Sequence, residues 1–238
     1  TLALAAAKRG KHLFIEKPLS NVADDVAGLA EEIAARNLIC EIGCQLRAHP
    51  GLRKLSGHLG SGSDGRVLAF RGAVGQRLDQ WRPGTDYRDS YSARAESGGG
   101  ALFDLIHEID LALWLVGPMA SVFADLRHVS DLDIDADDLA NVTLVAANGA
   151  GGQLQLDMLS PAYRRSFELV TERAVFHWEY ASGRIGRRDG AEDSVLFGSI
   201  DGFDRTDRCV AHMGHFLKRL NDPRTPPMCG LQDGIAAL

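Results

Sequence analysis

Residues 2–18, LALAAAKRGKHLFIEKP, decide the fold class. The Ala- and Leu-rich run over 2–9 is typical of a helix, and Gly10 is a good residue to end it. The apolar run over 12–15 is typical of a short buried strand in a parallel sheet, and Pro18 ends that strand. A helix followed at once by a buried strand indicates an α/β protein.

The residues that follow repeat this alternation. Ser20 or Asn21 can cap a helix that runs through Arg36, because apolar residues recur there at helical spacing. A second β-rich run, LICEI, occupies 38–42. Helix, strand, helix and strand with short joints predict the end of a doubly wound parallel sheet. We expect its other strands upstream of Thr1, because the chain opens in mid-helix without an initiator Met or a capping residue.

After Gly43 the pattern changes to one dominated by strands. A strand over 67–74, an Arg-, Tyr-, Ser- and Gly-rich loop over 75–100 and an amphipathic helix over 101–116 come first. Further β-rich runs separated by turn residues follow, at 121–127, 141–147, 152–159, 165–171 and 174–180. Other helices are predicted around 50–59, near 207–220 and from Leu231. This order predicts a second α/β domain with a large, open, mostly antiparallel sheet that carries helices on one face.

Composition and charge are those of an ordinary globular protein. Hydrophobic residues make up 45% and charged residues 24% of the 238 residues, enough for a sizeable core. The net charge of −6 and the scattered Lys and Arg argue against nucleic acid as a partner, because neutralising phosphates needs clustered cations. No apolar run approaches the roughly 18 residues of a membrane span, and the four cysteines match no zinc spacing. We expect a soluble, cytoplasmic protein.

The first chemical motif is Glu16-Lys17-Pro18, directly after the predicted strand. Ligands of doubly wound sheets bind beyond the carboxyl ends of the strands. A lysine there can donate to a substrate oxygen and stabilise negative charge as it develops. The alternative is an ordinary surface turn between a strand and a helix, where charged residues and proline are common.

The second motif is GGGALFDLIHEID over 98–110. On a continuous helix, Asp104 and His107 share a face because they are three residues apart. A carboxylate beside an imidazole suits a general acid/base near neutral pH. The alternative is a helix start in which Asp104 favours the dipole and His107 is a surface residue. No metal is expected, because a zinc-protease pattern needs a second histidine at 111, where the residue is Leu111.

Gly60-Ser61-Gly62-Ser63-Asp64-Gly65 formally matches the dinucleotide fingerprint GxGxxG. The fingerprint requires a strand before it and a helix after it. Here a predicted helix precedes the motif and a predicted strand follows. We therefore interpret it as a flexible loop.

Three stretches in this order resemble the glucose–fructose oxidoreductase and inositol dehydrogenase (Gfo/Idh/MocA) family. They are GKHLFIEKPL at 10–19, IGCQLRAHP at 42–50 and the glycine-led helix that ends in WLVG at 114–117. The resemblance implies the C-terminal part of a dinucleotide-binding Rossmann domain over 1–43, whose N-terminal part lies upstream. It implies a substrate-binding and oligomerisation α/β domain over 44–238.

The resemblance also implies the roles of several residues. Lys17 is expected near the nicotinamide and the substrate, and His107 is expected to act as the general acid/base. Asp104 is expected to be the third catalytic residue. The cofactor, NAD or NADP, is expected to be bound on its nicotinamide side by Lys17 and by three further residues, Glu16, Pro18 and Gln45.

One departure from the family concerns the spacing of the catalytic pair. Many members separate the aspartate and histidine by four positions, whereas Asp104 and His107 are three apart. A subset of sugar-modifying relatives resembles this chain in the shorter spacing and in a loop that here contains Trp81, Tyr87, Arg88, Tyr91 and Ser92. Tyr87 and Arg88 are candidate substrate contacts, because arginine donors and aromatic faces suit polyhydroxylated or carboxylated ligands. The alternative is an ordered loop that packs on the sheet.

These features together predict an NAD(P)-dependent oxidoreductase that transfers a hydride to or from the carbinol carbon of a sugar, polyol or sugar derivative. Its expected partners are a small sugar or polyol substrate and further copies of itself, in a dimer or tetramer. The alternative function is a non-catalytic ligand sensor or regulatory protein with the same fold. Retention of Lys17, Asp104 and His107 argues against that alternative, because a sensor has no need of all three.

Overall fold

The computed structural model describes residues 1–23, 26–190, 192–198 and 205–238. In chain order the helices are α1 (Leu2–Lys8), α2 (Ala27–Ala35), α3 (Pro50–Gly60), α4 (Ala101–Asp104), α5 (His107–Val116), α6 (Arg205–Asn221) and α7 (Leu231–Ala236). The strands are β1 (Leu13–Ile15), β2 (Cys40–Ile42), β3 (Val67–Gly75), β4 (Met119–Arg127), β5 (Leu139–Ala146), β6 (Gly151–Asp157), β7 (Arg164–Thr171), β8 (Val175–Glu179), β9 (Ile185–Asp189) and β10 (Glu192–Phe197). The predicted α/β fold is confirmed.

The chain forms two compact units. The first unit comprises Thr1–His49 and Gly202–Leu238, and the second comprises Pro50–Asp201. The sequence-based division instead separated 1–43 from everything after it. The last helices return to the first unit because their connection pairs with β2: the Ile42 N–H donates to the carbonyl of Cys229, at 2.8 Å.

The first unit is built on the predicted parallel strand pair. Leu13 lies opposite Cys40 and Ile15 opposite Ile42, so β1 and β2 end at the same edge. Thr1 does cap α1, contrary to the expectation of no cap, because its Oγ1 accepts from the Leu4 N–H at 3.4 Å.

Helix α2 begins later than predicted, at Ala27. The Ser20 hydroxyl accepts a hydrogen bond from the Val22 N–H at 3.1 Å and so closes a turn rather than capping a helix. Residues 24 and 25 of the predicted helix lie outside the described part of the chain.

A buried carboxylate joins β2 to the end of the chain. Glu41 is fully buried and accepts hydrogen bonds from Arg219 Nη1 at 2.8 Å and from the Cys229 N–H at 3.0 Å. The ring of His212, also fully buried, lies 3.4 Å from the same carboxylate through Nε2. Burial raises the pKa of Glu41, but hydrogen bonds from His212, Cys229 and Arg219 outweigh burial and hold the pKa below its ordinary value of 4.5.

The second unit is an eight-stranded sheet in the order β10-β9-β8-β7-β3-β6-β5-β4. Strands β3 and β6 pair in parallel, and every other neighbouring pair is antiparallel. The prediction of a large, mostly antiparallel sheet is confirmed. Strands β9 and β10 were not predicted, because IGRRD and EDSVLF have no clear alternation of apolar and polar residues. They are held by pairing with each other and by the Arg188–Asp193 ion pair at 2.5 Å.

One face of this sheet is buried and the other is open. Along β5 the buried residues alternate with the exposed ones, which is the period of a half-buried strand. Helix α4 packs on β5 and β6, and α5 packs on β3 and β6. The open face has a hollow of about 480 Å³ above Gly72 and Ala73, rimmed by polar side chains that include Arg71, Gln153 and Arg164. Among the described residues, no helix combines the length and hydrophobicity needed to cross a bilayer.

Loss of the buried ion pair between Glu41 and Arg219 should have a large effect on stability. Glu41→Ala should lower the free energy of unfolding by about 3–5 kcal/mol, because it leaves the nearly buried Arg219 without its carboxylate partner. Urea denaturation measures this loss. The control is Glu32→Ala, whose ion pair with Arg36 is exposed and should contribute less than about 1 kcal/mol. Equal losses in the two variants would contradict the assignment.

The loss of unfolding free energy in Glu41→Ala should depend on pH. The pKa of Glu41 is lowered by folding, so its contribution is fully present above pH 4.5 and decreases as the pH falls through the folded-state value. The stability difference between wild type and Glu41→Ala should therefore shrink in acid. A difference that grows below pH 4.5 would show that the direction is wrong.

Candidate functional site

In the first unit, the candidate residues lie where the two parallel strands end. Glu16 follows β1 and Gln45 follows β2, and Gln45 Nε2 donates to the Glu16 carboxylate oxygens at 3.1 and 3.3 Å. Between them the Gly43 N–H donates to the carbonyl of Ile15 at 2.7 Å. A Cβ at position 43 would lie 2.6 Å from Glu16 Oε2 and 3.3 Å from Glu16 Cα, so a larger residue would displace the Glu16 carboxylate. The strand ends therefore bring Glu16 and Gln45 together.

Lys17 and Pro18 continue from Glu16, and both are half-buried. The peptide bond between them is cis. This corner offers a carboxylate, an ammonium group and an amide within a few residues of two strand ends. A nicotinamide carboxamide has one acceptor and one donor group, and this set of side chains has a complement for each.

In the second unit, the glycine run allows two close backbone approaches. A Cβ at Gly99 would lie 2.4 Å from the carbonyl oxygen of Tyr91 and 2.6 Å from that of Ser92. A Cβ at Gly100 would lie 2.4 Å from Asp137 Oδ1, and the φ of Gly100 is +103°. The glycines therefore let the loop at 91–92 and the Asp137 carboxylate lie directly against the start of α4.

Asp137 in turn caps α4. Its carbonyl accepts from the Ala101 N–H at 2.8 Å, and its carboxylate accepts from the Leu102 N–H at 2.9 Å. Asp137 belongs to the segment DLDIDADD at 131–138, in which Leu132, Ile134 and Ala136 are buried in the core. The sequence analysis missed this segment, although its alternation of Asp with apolar residues is a visible signal. The aspartates that alternate with the core residues brace the loop that precedes α4.

Asp104 is almost fully buried, with 5% of its surface exposed. Its Oδ1 accepts a hydrogen bond from the Tyr91 hydroxyl at 2.6 Å. Burial and the neighbouring Asp104 carboxylate raise the pKa of Tyr91 to about 12. Tyr91 was placed in the loop by the sequence analysis but was not identified as the partner of Asp104.

The prediction of one continuous helix over 101–116 is wrong. Helix α4 ends at Asp104, and α5 begins at His107. Leu105 has φ −103° and ψ 23°, which interrupts the helical ladder, and the carbonyl of Ile106 accepts the first bond of α5 from the Asp110 N–H at 3.0 Å. Asp104 and His107 therefore lie on either side of a break instead of on one face of one helix.

His107 is nearly buried at the first position of α5. The next residue, Glu108, is fully buried and pairs with Arg165 of β7, with 2.8 Å between Glu108 Oε1 and Arg165 Nε. The Arg165 guanidinium also lies over the ring of Tyr180, 5.7 Å from its centroid. This pair attaches the first turn of α5 to the sheet and so limits the movement of His107.

The two candidate substrate contacts have structural partners. The Tyr87 hydroxyl accepts from the Asp133 N–H at 3.0 Å, and its ring packs against the core. The exposed Arg88 guanidinium bonds the Asp86 carboxylate through Nε and Nη2, at 2.5–3.0 Å. These contacts match the alternative in which the loop packs as an ordered segment. A role for either residue in substrate binding stays a prediction.

The close approach at Gly99 generates a stability prediction. Gly99→Ala should destabilise the protein by about 1–3 kcal/mol, because the added Cβ meets two backbone carbonyls that cannot rotate away. Thermal unfolding followed by circular dichroism measures the effect. The matched control is Gly57→Ala in the exposed interior of α3, where a Cβ meets nothing within 4 Å and should stabilise by about 0.5–1 kcal/mol. A neutral Gly99→Ala would contradict the close approach.

The curated proteins similar to this chain include several that are named as sugar or inositol dehydrogenases. Levoglucosan dehydrogenase of Pseudarthrobacter phenanthrenivorans is 31% identical over 127 residues, which cover 52% of this chain and 32% of the relative. Myo-inositol 2-dehydrogenase of Thermotoga maritima is 28% identical over 224 residues, covering 93% of this chain and 61% of the relative. Scyllo-inositol 2-dehydrogenase (NAD(+)) of Bacillus subtilis is 26% identical over 180 residues, covering 73% and 50%. The chain thus spans between about a third and three fifths of the length of these curated relatives.

Solved structures share the fold. A levoglucosan dehydrogenase in complex with NADH and levoglucosan superposes with a TM-score of 0.89 and 21% identity, over 100% of this chain and 72% of that one. An inositol dehydrogenase homologue of Azotobacter vinelandii, with NADH and myo-inositol, has a TM-score of 0.82 and 13% identity, over 99% and 69%. The model of the GFO/IDH/MocA C-terminal domain matches residues 52–177, more than half of the chain. The chain therefore belongs to the GFO/IDH/MocA family, as the three sequence motifs predicted.

Proposed function

We propose that the protein is a dehydrogenase that moves a hydride between a nicotinamide cofactor and the carbinol carbon of a sugar, a polyol or a sugar derivative. One observation carries the proposal: the family match covers the segment that holds Asp104 and His107. The relatives of the same chain are named levoglucosan and inositol dehydrogenases, which supports a polyhydroxylated substrate.

In this proposal three side chains act on the substrate. His107 takes the hydroxyl proton in oxidation and returns it in reduction, a role that suits an imidazole near neutral pH. Lys17 donates to the same oxygen and stabilises its developing negative charge. Asp104 orients His107 or contacts the substrate. The ion pair of Glu108 with Arg165 supports a fixed position for His107. The hydrogen bond from Tyr91 supports one for Asp104.

Glu16, Pro18 and Gln45, together with Lys17, are proposed to bind the nicotinamide side of the cofactor. Their place at the ends of β1 and β2 supports this, because ligands of doubly wound sheets bind beyond those ends. NAD is the proposed form, since one relative is named as NAD(+)-dependent and the solved neighbours contain NADH. NADP is the alternative cofactor.

The open face of the eight-stranded sheet is proposed to pair with a second copy of the chain in a homo-oligomer. The edge strand β4 supports this, because Phe123, which lies opposite Thr143 on the open face, exposes 71% of its surface. Such exposed apolar side chains on an edge strand commonly mark an interaction surface. Cytoplasmic location is part of the same proposal.

Substitution of the proposed acid/base tests the function. His107→Ala in the full-length protein should lower kcat by about 10²–10⁴-fold, because it removes proton transfer to and from the substrate oxygen. The measurement is nicotinamide absorbance at 340 nm over a panel of sugars and polyols, with NAD and NADP compared. The dissociation constant for the cofactor should stay unchanged. The control is His177→Ala, an exposed histidine on β8 that should keep wild-type turnover.

The same assay separates the dehydrogenase from its rival, a non-catalytic ligand sensor with the same fold. A sensor would bind ligand without any change in nicotinamide absorbance, in wild type and variant alike. If the wild type turns over substrate and His107→Ala does so equally fast, His107 is not the acid/base.

A further inference from the structure

The mechanism proposed above gives Tyr91 no role of its own, although its hydroxyl bonds Asp104. Tyr91 exposes 46% of its surface, whereas Asp104 exposes 5%. The hydroxyl of a half-exposed ring therefore reaches a nearly buried carboxylate, at 2.6 Å from Oδ1. Bonds in which a hydroxyl donates to an ionised oxygen at this distance are among the strong hydrogen bonds of proteins.

The electrostatics of the pair are mutually supporting. Burial, the hydrogen bond to Asp104 and the charge of Asp104 raise the pKa of Tyr91 to about 12. The phenol therefore keeps its proton, and remains a donor, at every pH at which a dehydrogenase is assayed. The Tyr91 hydroxyl and the Asp104 carboxylate thus match as donor and acceptor.

The position of Tyr91 is fixed by its surroundings. The Ser90 hydroxyl accepts from the Ser92 N–H at 3.1 Å and closes the short turn that begins with Tyr91. The Arg82 guanidinium bonds Ser90 Oγ at 2.9 Å and lies over the Tyr91 ring, 5.9 Å from its centroid. The bare backbone of Gly99 lies against the Tyr91 carbonyl. These contacts hold the loop in a position from which the Tyr91 hydroxyl reaches α4.

We infer that Tyr91 is a positioning residue for Asp104: its hydroxyl holds the carboxylate in one orientation during the proposed hydride transfer. This inference rests on the proposed function, in which Asp104 orients His107 or contacts the substrate. Among the described residues of the second unit, Arg82 is a charged group beside the pair, with its guanidinium over the Tyr91 ring.

The coupling of the two residues is tested without any activity. The ζ-carbon of tyrosine labelled with ¹³C reports ionisation of the phenol in an NMR titration up to pH 11, and Tyr91→Phe assigns the signal among the four tyrosines. In the wild type the Tyr91 signal should not ionise in this range. Burial is the largest cause of the raised pKa and remains in Asp104→Asn, so the pKa of Tyr91 should fall only part of the way toward 10, as the charge of Asp104 is lost. Identical titrations in the two proteins would overturn the inference.

The kinetic test compares Tyr91→Phe with Ser90→Ala. Tyr91→Phe removes one donor from Asp104, so kcat should fall by about 10–100-fold while KM changes less than about twofold. Ser90→Ala loosens the same loop but keeps the Tyr91 hydroxyl, so it should lower kcat less than Tyr91→Phe does.

The possible outcomes separate the inference from the proposed function. A Tyr91→Phe variant that loses stability like Ser90→Ala, with kcat unchanged, would mean that Tyr91 only braces the loop and would overturn the inference. A wild type with no nicotinamide-linked turnover on any polyol would overturn the proposed function and the catalytic part of the inference with it. The NMR titration then decides the coupling between Tyr91 and Asp104 on its own.

Discussion

The candidate site of the second unit depends on a contact between backbones. The Gly99 backbone lies against the carbonyls of Tyr91 and Ser92, and no other residue type has room at that position. Because the loop is held this closely, the Tyr91 hydroxyl reaches Asp104 at the end of a one-turn helix. A helix of four residues has little stability of its own. Its place in the fold comes from the glycines that precede it and from the Asp137 carboxylate that caps it.

Carboxylates that accept main-chain N–H groups recur in both units. In the first unit, Glu41 accepts from Cys229 and so holds the end of the chain on β2. In the second, Asp137 accepts from Leu102, and Asp138 accepts from Val129 and Ser130 at 2.8 and 2.9 Å. A buried main-chain donor without a partner is costly, so irregular segments need such acceptors. The aspartates of 131–138 that accept such bonds therefore stabilise the irregular segments around α4.

The sequence was informative where periodicity is local. The first two strands, helices α3, α6 and α7 and six strands of the large sheet follow from apolar spacing and from turn residues. Strands β9 and β10 escaped because IGRRD and EDSVLF lack alternation, and the backbone pairing of β9 with β8 and of β10 with β9 is not visible in apolar spacing. The break between Asp104 and His107 escaped for a related reason: helical periodicity continues across it, while the chain turns at Leu105. Tyr91 could be named as part of a loop, but its partner could not, because thirteen positions and a turn separate it from Asp104.

The ion pair between Glu108 and Arg165 is better explained by position than by stability. Desolvating two charges costs about as much as their attraction returns, so an apolar pair of similar volume often gives an equally stable core. An apolar pair, however, does not impose a preferred orientation on the two side chains, as a guanidinium and a carboxylate do. The Arg165 guanidinium lies over the Tyr180 ring and pairs with Glu108. Through this contact it sets how the first turn of α5 is rotated about the helix axis relative to β7. His107 occupies the same turn, and general acid/base catalysis depends on the placement of the proton-transfer group. An ion pair that contributes little net energy can thus be retained for the orientation that it imposes on its neighbour.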